Sequence, residues 1–329
     1  MTDATPDGTL TFERSIRVPP TVSPHAQAVM AAGVAMVVDR IDHPQPSPAL
    51  DDADAWKARI AFMDDAIVTG FAASALGISA TVETREIAGV VVNVITPEGV
   101  SASDDAPIHL DIHGGALVAG GGDACRLMNT SAAARAGLHT WGVDYRMPPD
   151  HPYPTPLDDC VAVYRALLDE RSPEEIVVGG GSAGGNLVAA MLLRAKDEGL
   201  PMPAALVLMT PEIDLTESGD SFDTNAGIDY VLVDRLTDSI ALYAGDHDLT
   251  DPYLSPIFGD VTGFPPTFVQ AGTRDLFLSN AVRFHRKLRD AGVDAELHIW
   301  EAMPHGGFFG APEDAEIGVE LRRFIAKHL

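Results

Sequence analysis

Cysteine, basic residues and long apolar runs are all scarce in this chain, and each shortage closes off a class of protein. Only Cys125 and Cys160 occur among 329 residues. Two thiols build no disulfide framework at this length, which points to a reducing compartment, the cytoplasm. Neither stands beside an activating partner, so both are expected as small buried hydrophobes. Lysine and arginine number 22 against 48 acidic residues, a formal net charge of −26. Phosphate backbones and anionic headgroups would be repelled, which excludes nucleic acid and acidic membrane surfaces as partners. The apolar stretch 26–38 falls short of the ~20 residues of a bilayer span and lacks a basic flank directly before it. It reads as an amphipathic helix.

What is present is the composition of a globular protein, 46% hydrophobic and 21% charged. The length suits one large α/β domain with an elaboration, or two modest domains. Residues 1–75 look helical, with breaks at Pro19-Pro20 and across His43 to Pro48. From about residue 81 strands and helices alternate. Strands are expected over 90–96, 108–112, 138–145, 176–179, 204–209, 267–271 and 295–300. Helices are expected over 122–136, 184–197 and 279–291, with a last one from Pro312. A further helix follows Thr155, a natural N-cap, with Pro156 at N1 and Asp158 completing a capping pattern. Its apolar positions Leu157, Val161, Tyr164 and Leu168 keep the helical repeat. This alternation implies a mostly parallel sheet covered on both faces. The polar, irregular stretch 213–250 interrupts it and is expected to join the N-terminal helices as a cap. One domain with a lid is favoured over two independent ones.

Two glycine-flanked segments carry the chemistry. Gly180-Gly181-Ser182-Ala183-Gly184-Gly185 fits G-x-S-x-G and lies between an apolar strand and a helix. That is the context of a nucleophile elbow, where small neighbours let backbones meet around a strained serine. A serine hydroxyl needs a base, and the base an orienting acid. Parallel α/β sheets gather functional groups beyond the carboxyl ends of their strands. Asp275 lies just beyond strand 267–271 and His305 just beyond strand 295–300, in the chain order Ser…Asp…His. Asp246 and Asp251 are weaker rivals for the acid, because they follow no strand. Upstream, His113-Gly114-Gly115 follows strand 108–112. The N–H groups of Gly114 and Gly115, with that of Ala183, would receive the negative charge of a tetrahedral intermediate. His113 is expected to orient the loop. A metal reading rests on His109, Asp111 and His113, which alternate on one strand face. His113 opens a glycine loop, however, and no second cluster has ligand spacing, so no metal and no cofactor is expected.

Together with the segment Asp144-Tyr145-Arg146-Met147-Pro148-Pro149-Asp150-His151-Pro152-Tyr153-Pro154 and its continuation Leu157-Asp158-Asp159-Cys160, these motifs identify a family. Over about residues 80–329 the chain resembles the hormone-sensitive-lipase-like branch of the α/β-hydrolase esterases, also called bacterial family IV. The resemblance implies an α/β-hydrolase fold, ester hydrolysis through an acyl-serine, no cofactor and a helical cap. It also implies homodimers paired through the last strand and helix. On this reading residues 1–75 are an N-terminal cap segment, residues 76–329 the catalytic domain, and 213–250 completes the cap. Two positions depart from the family pattern. Gly181 stands where Asp or Thr is usual before the serine. Ala116 replaces the third glycine of the oxyanion motif, followed by Leu117 where an aromatic is common.

The expectation is a serine carboxylesterase for small to medium, largely apolar substrates, in which Ser182 attacks, His305 shuttles the proton and Asp275 orients the imidazole. A lactone hydrolase would use the same machinery on a cyclic ester. A non-catalytic, ligand-binding relative of the fold is the rival from another class. Turnover that vanishes in Ser182→Ala while the fold persists separates it from an enzyme.

Overall fold

Eight strands form one sheet, and the strand that leads into Ser182 lies at its centre. The computed structural model of the protein describes residues 3–4, 9–11, 13, 15–43, 46–75 and 77–329. Parts of the expected N-terminal segment, at 1–2, 5–8, 12, 14, 44 and 45, lie outside the described residues. A two-residue antiparallel pair, β1 (Asp3–Ala4) and β2 (Leu10–Thr11), precedes two long helices, α1 (Pro24–Asp42) and α2 (Ala53–Ala75). Then follow β3 (Ala80–Ile87), β4 (Val90–Pro97), β5 (Ile108–Ile112), α3 (Asp123–Ala136), β6 (His139–Asp144), α4 (Thr155–Glu170) and β7 (Ile176–Gly181). The rest comprises α5 (Ala183–Asp197), β8 (Ala205–Met209), two short helices α6 (Ser221–Thr224) and α7 (Thr237–Ala244), β9 (Thr267–Gly272), α8 (Leu278–Asp290), β10 (Ala295–Trp300) and α9 (Pro312–His328).

The strand order is β10-β9-β8-β7-β5-β6-β4-β3. Five of the pairings are parallel, and β4 runs antiparallel to both of its neighbours, β3 and β6. The alternation rule along a strand sorts the core into two faces. Ile176, Val178, Leu206 and Leu208 pack with side chains of α4, α5 and α8. Val177, Ala205 and Val207 face the other way, against Leu321, Phe324 and Ile325 of α9. Strands buried on both faces read as near-continuous apolar runs, as β7 and β8 do, whereas β5 alternates Ile108, Leu110 and Ile112 with the buried polar His109 and Asp111. By contrast β3 is mostly exposed, carries Thr, Glu and Arg, and lies at the sheet edge.

One expected helix start is corrected. Thr155 does not cap α4: it is the first helical residue, Pro154 occupies the cap, and no side chain bonds the first turn. The N-terminus of α1 does have its cap, since Ser23 Oγ accepts from Ala26 N at 3.2 Å. The same serine donates from N and Oγ to Glu313 at 2.6 and 2.9 Å, tying α1 to the start of α9. Below it, Ala26, Met30 and Val37 share a buried cluster with Tyr230, Met303 and Phe308. Helix α1 therefore packs on the 213–250 insertion and on the loop after β10. No helix among the described residues is long and apolar enough to cross a membrane.

Candidate active site

Strand β7 stops at Gly181, and the chain turns sharply into α5 through Ser182. This serine sits at φ +56°, ψ −124°, a conformation side chains rarely adopt. Its N–H donates to Met209 O at 2.9 Å, and its carbonyl accepts from Gly185 N and Glu212 N at 2.9 and 3.1 Å. The turn is thus held from β8 and from the loop beyond it. Close approach makes it possible: a Cβ on Gly184 would lie 1.9 Å from Ile112 O, so only glycine lets α5 meet β5 here. Gly181 is different, because its nearest neighbours would be ordinary contacts with Met209 at 3.6 and 3.8 Å. There is room for a side chain where the family usually has one. Ser182 is half-buried, and its Oγ makes no hydrogen bond among the described residues.

The His113-Gly114-Gly115 loop lies against the elbow. A Cβ on Gly114 would fall 2.9 Å from Gly181 O and 3.1 Å from Ser182 Cβ. The N–H groups of Gly114 and Gly115 donate to no group among the described residues. Ala183, with its own N–H, opens α5 directly after the serine, where the helix dipole favours negative charge. Gly115, at φ +130°, approaches Ala119 O so closely that a Cβ would stand 1.9 Å away. Ala116 and Leu117 follow at φ +54° and +66°, so the loop keeps a left-handed path where the family's extra glycine is missing. His113 is held within the loop. Its Nδ1 meets Gly114 O at 2.7 Å, and its ring stacks on Tyr145 with centroids 4.1 Å apart. Tyr145 returns a hydrogen bond to His113 O at 3.0 Å. From α2, Asp64 accepts from Gly120 N at 2.7 Å and ties the loop's far end to the N-terminal helices.

Beyond β9 and β10, Asp275 and His305 come together. His305 Nδ1 stands 3.0 Å from Asp275 Oδ1, and both residues are buried. Asp275 Oδ1 also accepts from Phe277 N at 2.9 Å. Burial by itself would lower the imidazole's pKa. The charge of Asp275 and its hydrogen bond, with the charges of Asp229 and Glu212 behind them, outweigh burial and raise it. Among the described residues the rivals for the acid, Asp246 and Asp251, form no hydrogen bond or ion pair with His305; Asp251 instead caps its own turn through Tyr253 N.

Three buried residues around this pair were not legible beforehand. Glu212 follows Pro211 after β8, is fully buried, and has no hydrogen-bond partner for either carboxylate oxygen. Burial, and then the charge of Glu217, push its carboxyl up to about 8 against the opposing influence of His305. It touches both halves of the site, because its N–H donates to Ser182 and its carboxyl faces the imidazole. Asn225 donates to Asp275 O at 2.8 Å. Asp229 is bonded to the backbone of both loops. An acid or amide in a polar insertion reads as a solvated face, so no local pattern marks any of the three.

The strand face considered for a metal does not assemble as a ligand set. Burial brings His109 down to about 4 and Asp111 up to about 7, and Asp111 accepts from Asn129 Nδ2 at 2.8 Å. Among the described residues, His113, Cys125 and Asp144 do bring ligand atoms within 4.8 Å of one another. Yet Cys125 Sγ donates to Asn129 Oδ1 at 2.8 Å, and burial pushes its thiol well up. These are the bonds of a neutral buried network.

Comparison with known proteins agrees with the fold. Residues 109–309 match a family model described as the α/β-hydrolase fold. An esterase from Acinetobacter venetianus is 37% identical over 196 residues, which cover 58% of this chain and 64% of that one. The crystal structure of esterase E25 superposes with a TM-score of 0.88 at 35% identity, covering 98% of this chain and 99% of that one. A homologue of hormone-sensitive lipase from a metagenome library, EstE7, superposes with a TM-score of 0.76 at 28% identity over 94% and 100% of the two chains. The chain belongs to the α/β-hydrolase family, in the branch of hormone-sensitive-lipase-like esterases, and is a carboxylesterase-type hydrolase.

Proposed function

We propose that this protein cleaves carboxylic esters of small to medium, largely apolar substrates through an acyl-serine intermediate. His305 Nε2 takes the proton of Ser182 Oγ as the oxygen attacks the ester carbonyl. The N–H groups of Gly114, Gly115 and Ala183 receive the charge that develops on the carbonyl oxygen. Asp275 holds the imidazole in the right tautomer and stabilises it once protonated. Collapse of the tetrahedral species expels the alcohol, which takes the proton from His305. Water then attacks the acyl-serine with His305 again as base, releasing the acid and restoring Ser182. Hydrogen bonds between nucleophile and base are often loose without substrate and tighten as it binds. The reading is supported by the buried 3.0 Å His305–Asp275 pair at the ends of two adjacent strands, together with the strained backbone of Ser182 at the start of α5.

The N-terminal helices with the 213–250 insertion we read as the cap that selects substrates. The richness of these segments in Ala, Val, Met and Ile supports an apolar preference. Edge strand β10 and helix α9, with Ile299 and Val319 exposed, are the faces through which two copies would pair. Two free, buried cysteines suit the cytoplasm. The test is hydrolysis of p-nitrophenyl acetate and butyrate beside a lactone panel, with mass spectrometry after a fluorophosphonate. Turnover lost in Ser182→Ala, with the probe found on Ser182 of the unaltered protein, is the expected result. Activity that survives Ser182→Ala refutes the acyl-serine route, and a preference for lactones redirects the substrate class.

A further inference from the structure

Asp229 lies between α6 and α7, is fully buried, and has no part in the steps above. Its carboxylate nevertheless gathers four backbone N–H groups. Oδ1 accepts from Val231 and Leu232 at 2.9 and 3.1 Å, which closes its own turn. Oδ2 accepts from Leu276 at 2.9 Å and from His305 at 3.1 Å. Leu276 is the residue after the acid, and His305 is the base itself. A single oxygen therefore holds the backbone of both partners.

The two loops are also joined lower down, where Thr273 N donates to Trp300 O at 2.9 Å and Arg274 N to Met303 O at 3.1 Å. Past those rungs they diverge. Among the described residues, the ends that bear the carboxylate and the imidazole are bridged by that pair itself, by the edge-on contact of the Phe277 and His305 rings with centroids 5.0 Å apart, and by Asp229, which alone bonds the backbone of both. The Asp275 carboxylate keeps one oxygen without a hydrogen-bond partner, so it does not brace itself against other side chains.

We propose that Asp229 is a positioning residue for the acid–base pair, a clamp through which the insertion fixes the separation of Asp275 and His305. This rests on the reading of Ser182, Asp275 and His305 given above. The clamp has an electrostatic side as well. The titratable groups around the imidazole are Asp275, Asp229 and Glu212, all acids. A charge on Asp229 thus favours the imidazolium that forms when Ser182 attacks.

Replacement by asparagine exposes the role because it keeps the volume and breaks the symmetry of the acceptors. Whichever way the amide turns, its NH₂ confronts two N–H donors, so either the turn or the catalytic loops lose their acceptor. The test measures p-nitrophenyl butyrate hydrolysis against pH for unaltered protein, Asp229→Asn and Asp229→Glu, with Tm and the rate of fluorophosphonate labelling recorded alongside. For Asp229→Asn we expect kcat to fall about tenfold to a hundredfold, the scale of a misplaced catalytic group, with KM changed by less than about threefold. Labelling of Ser182 should slow in parallel. The midpoint of the acid limb of kcat/KM should fall, because a negative charge beside the base is gone. Asp229→Glu keeps the charge but moves the acceptor, so its midpoint should return toward that of the unaltered protein while kcat stays low. It carries the test if the asparagine variant does not fold.

A variant that loses Tm while kcat, labelling and midpoint all match the unaltered protein makes Asp229 merely structural and overturns the proposal. Failure of the underlying reading looks different. In that case the unaltered protein is not labelled at Ser182, and Ser182→Ala stays active.

Discussion

Glu212 offers the most quantitative check on the electrostatics of the site. Its carboxyl titrates near pH 8 in the fold and near 4.5 when unfolded. A raised carboxyl pKa means that the native state binds the proton more tightly than the unfolded chain. Its penalty is therefore absent below pH 4.5, grows as pH climbs, and is complete above pH 8. At 1.36 kcal/mol per pH unit, the full penalty is about 5 kcal/mol, and about 4 kcal/mol of it accrues between pH 5 and pH 8.5. Glu212→Gln removes the titration. The amide brings its own burial cost, about 1–3 kcal/mol for unpaired polar atoms, but that cost is the same at every pH. The diagnostic quantity is thus the slope. Urea unfolding at pH 5, 7 and 8.5 should show the variant gaining on the parent by about 4 kcal/mol across the range. A difference that stays flat to within about 1 kcal/mol would show that this carboxyl holds no proton in the fold, and the argument from its burial would fail.

Three further outcomes follow from the geometry. His305 must be neutral to accept a proton and its pKa is raised, so kcat/KM should climb with pH through a midpoint above the ordinary 6.5; a midpoint at or below that value contradicts the acid cluster around it. In Gly114→Ala the new methyl would meet Gly181 O at 2.9 Å and Ser182 Cβ at 3.1 Å, displacing a donor loop. Losing such a donor should cut kcat about 10²–10³-fold, whereas Gly181→Ala, which has room, should leave kcat within about threefold in the same assay. Asp159 is buried and accepts from Arg146 N and Nε at 2.9 and 3.0 Å and from its Nη2 at 2.6 Å. Asp159→Ala should cost about 2 kcal/mol in urea unfolding, a modest figure because the arginine is half-exposed and screened.

Much of the framework was readable because its signals are local. Apolar runs at β7 and β8, the alternation of Ile108, Leu110 and Ile112 in β5, and the glycines on either side of Ser182 express contacts with immediate neighbours or with a sheet covered on both faces. Strand β3 escaped notice since an exposed edge strand has no apolar stripe to display. The start of α4 was misread by one residue: Thr155 has the chemistry of a cap, but Pro154 already sits in that position. Around the candidate site, Ser182, Asp275 and His305 could be singled out as candidates because each follows a strand. Asp229 and Glu212 could not, because their surroundings are supplied by residues such as His305, 76 positions from Asp229, and no periodicity crosses that gap.

The bond from Asp64 to Gly120 carries a consequence for how such an enzyme can diversify. Helix α2 reaches down and secures the far end of the loop that carries the proposed oxyanion donors. Shortening or swapping the N-terminal helices to admit a new substrate would release that anchor. Selectivity and rate are then not free to change independently: any redesign of the entrance has to preserve a carboxylate at this one spot, or find another acceptor for the amide it leaves behind.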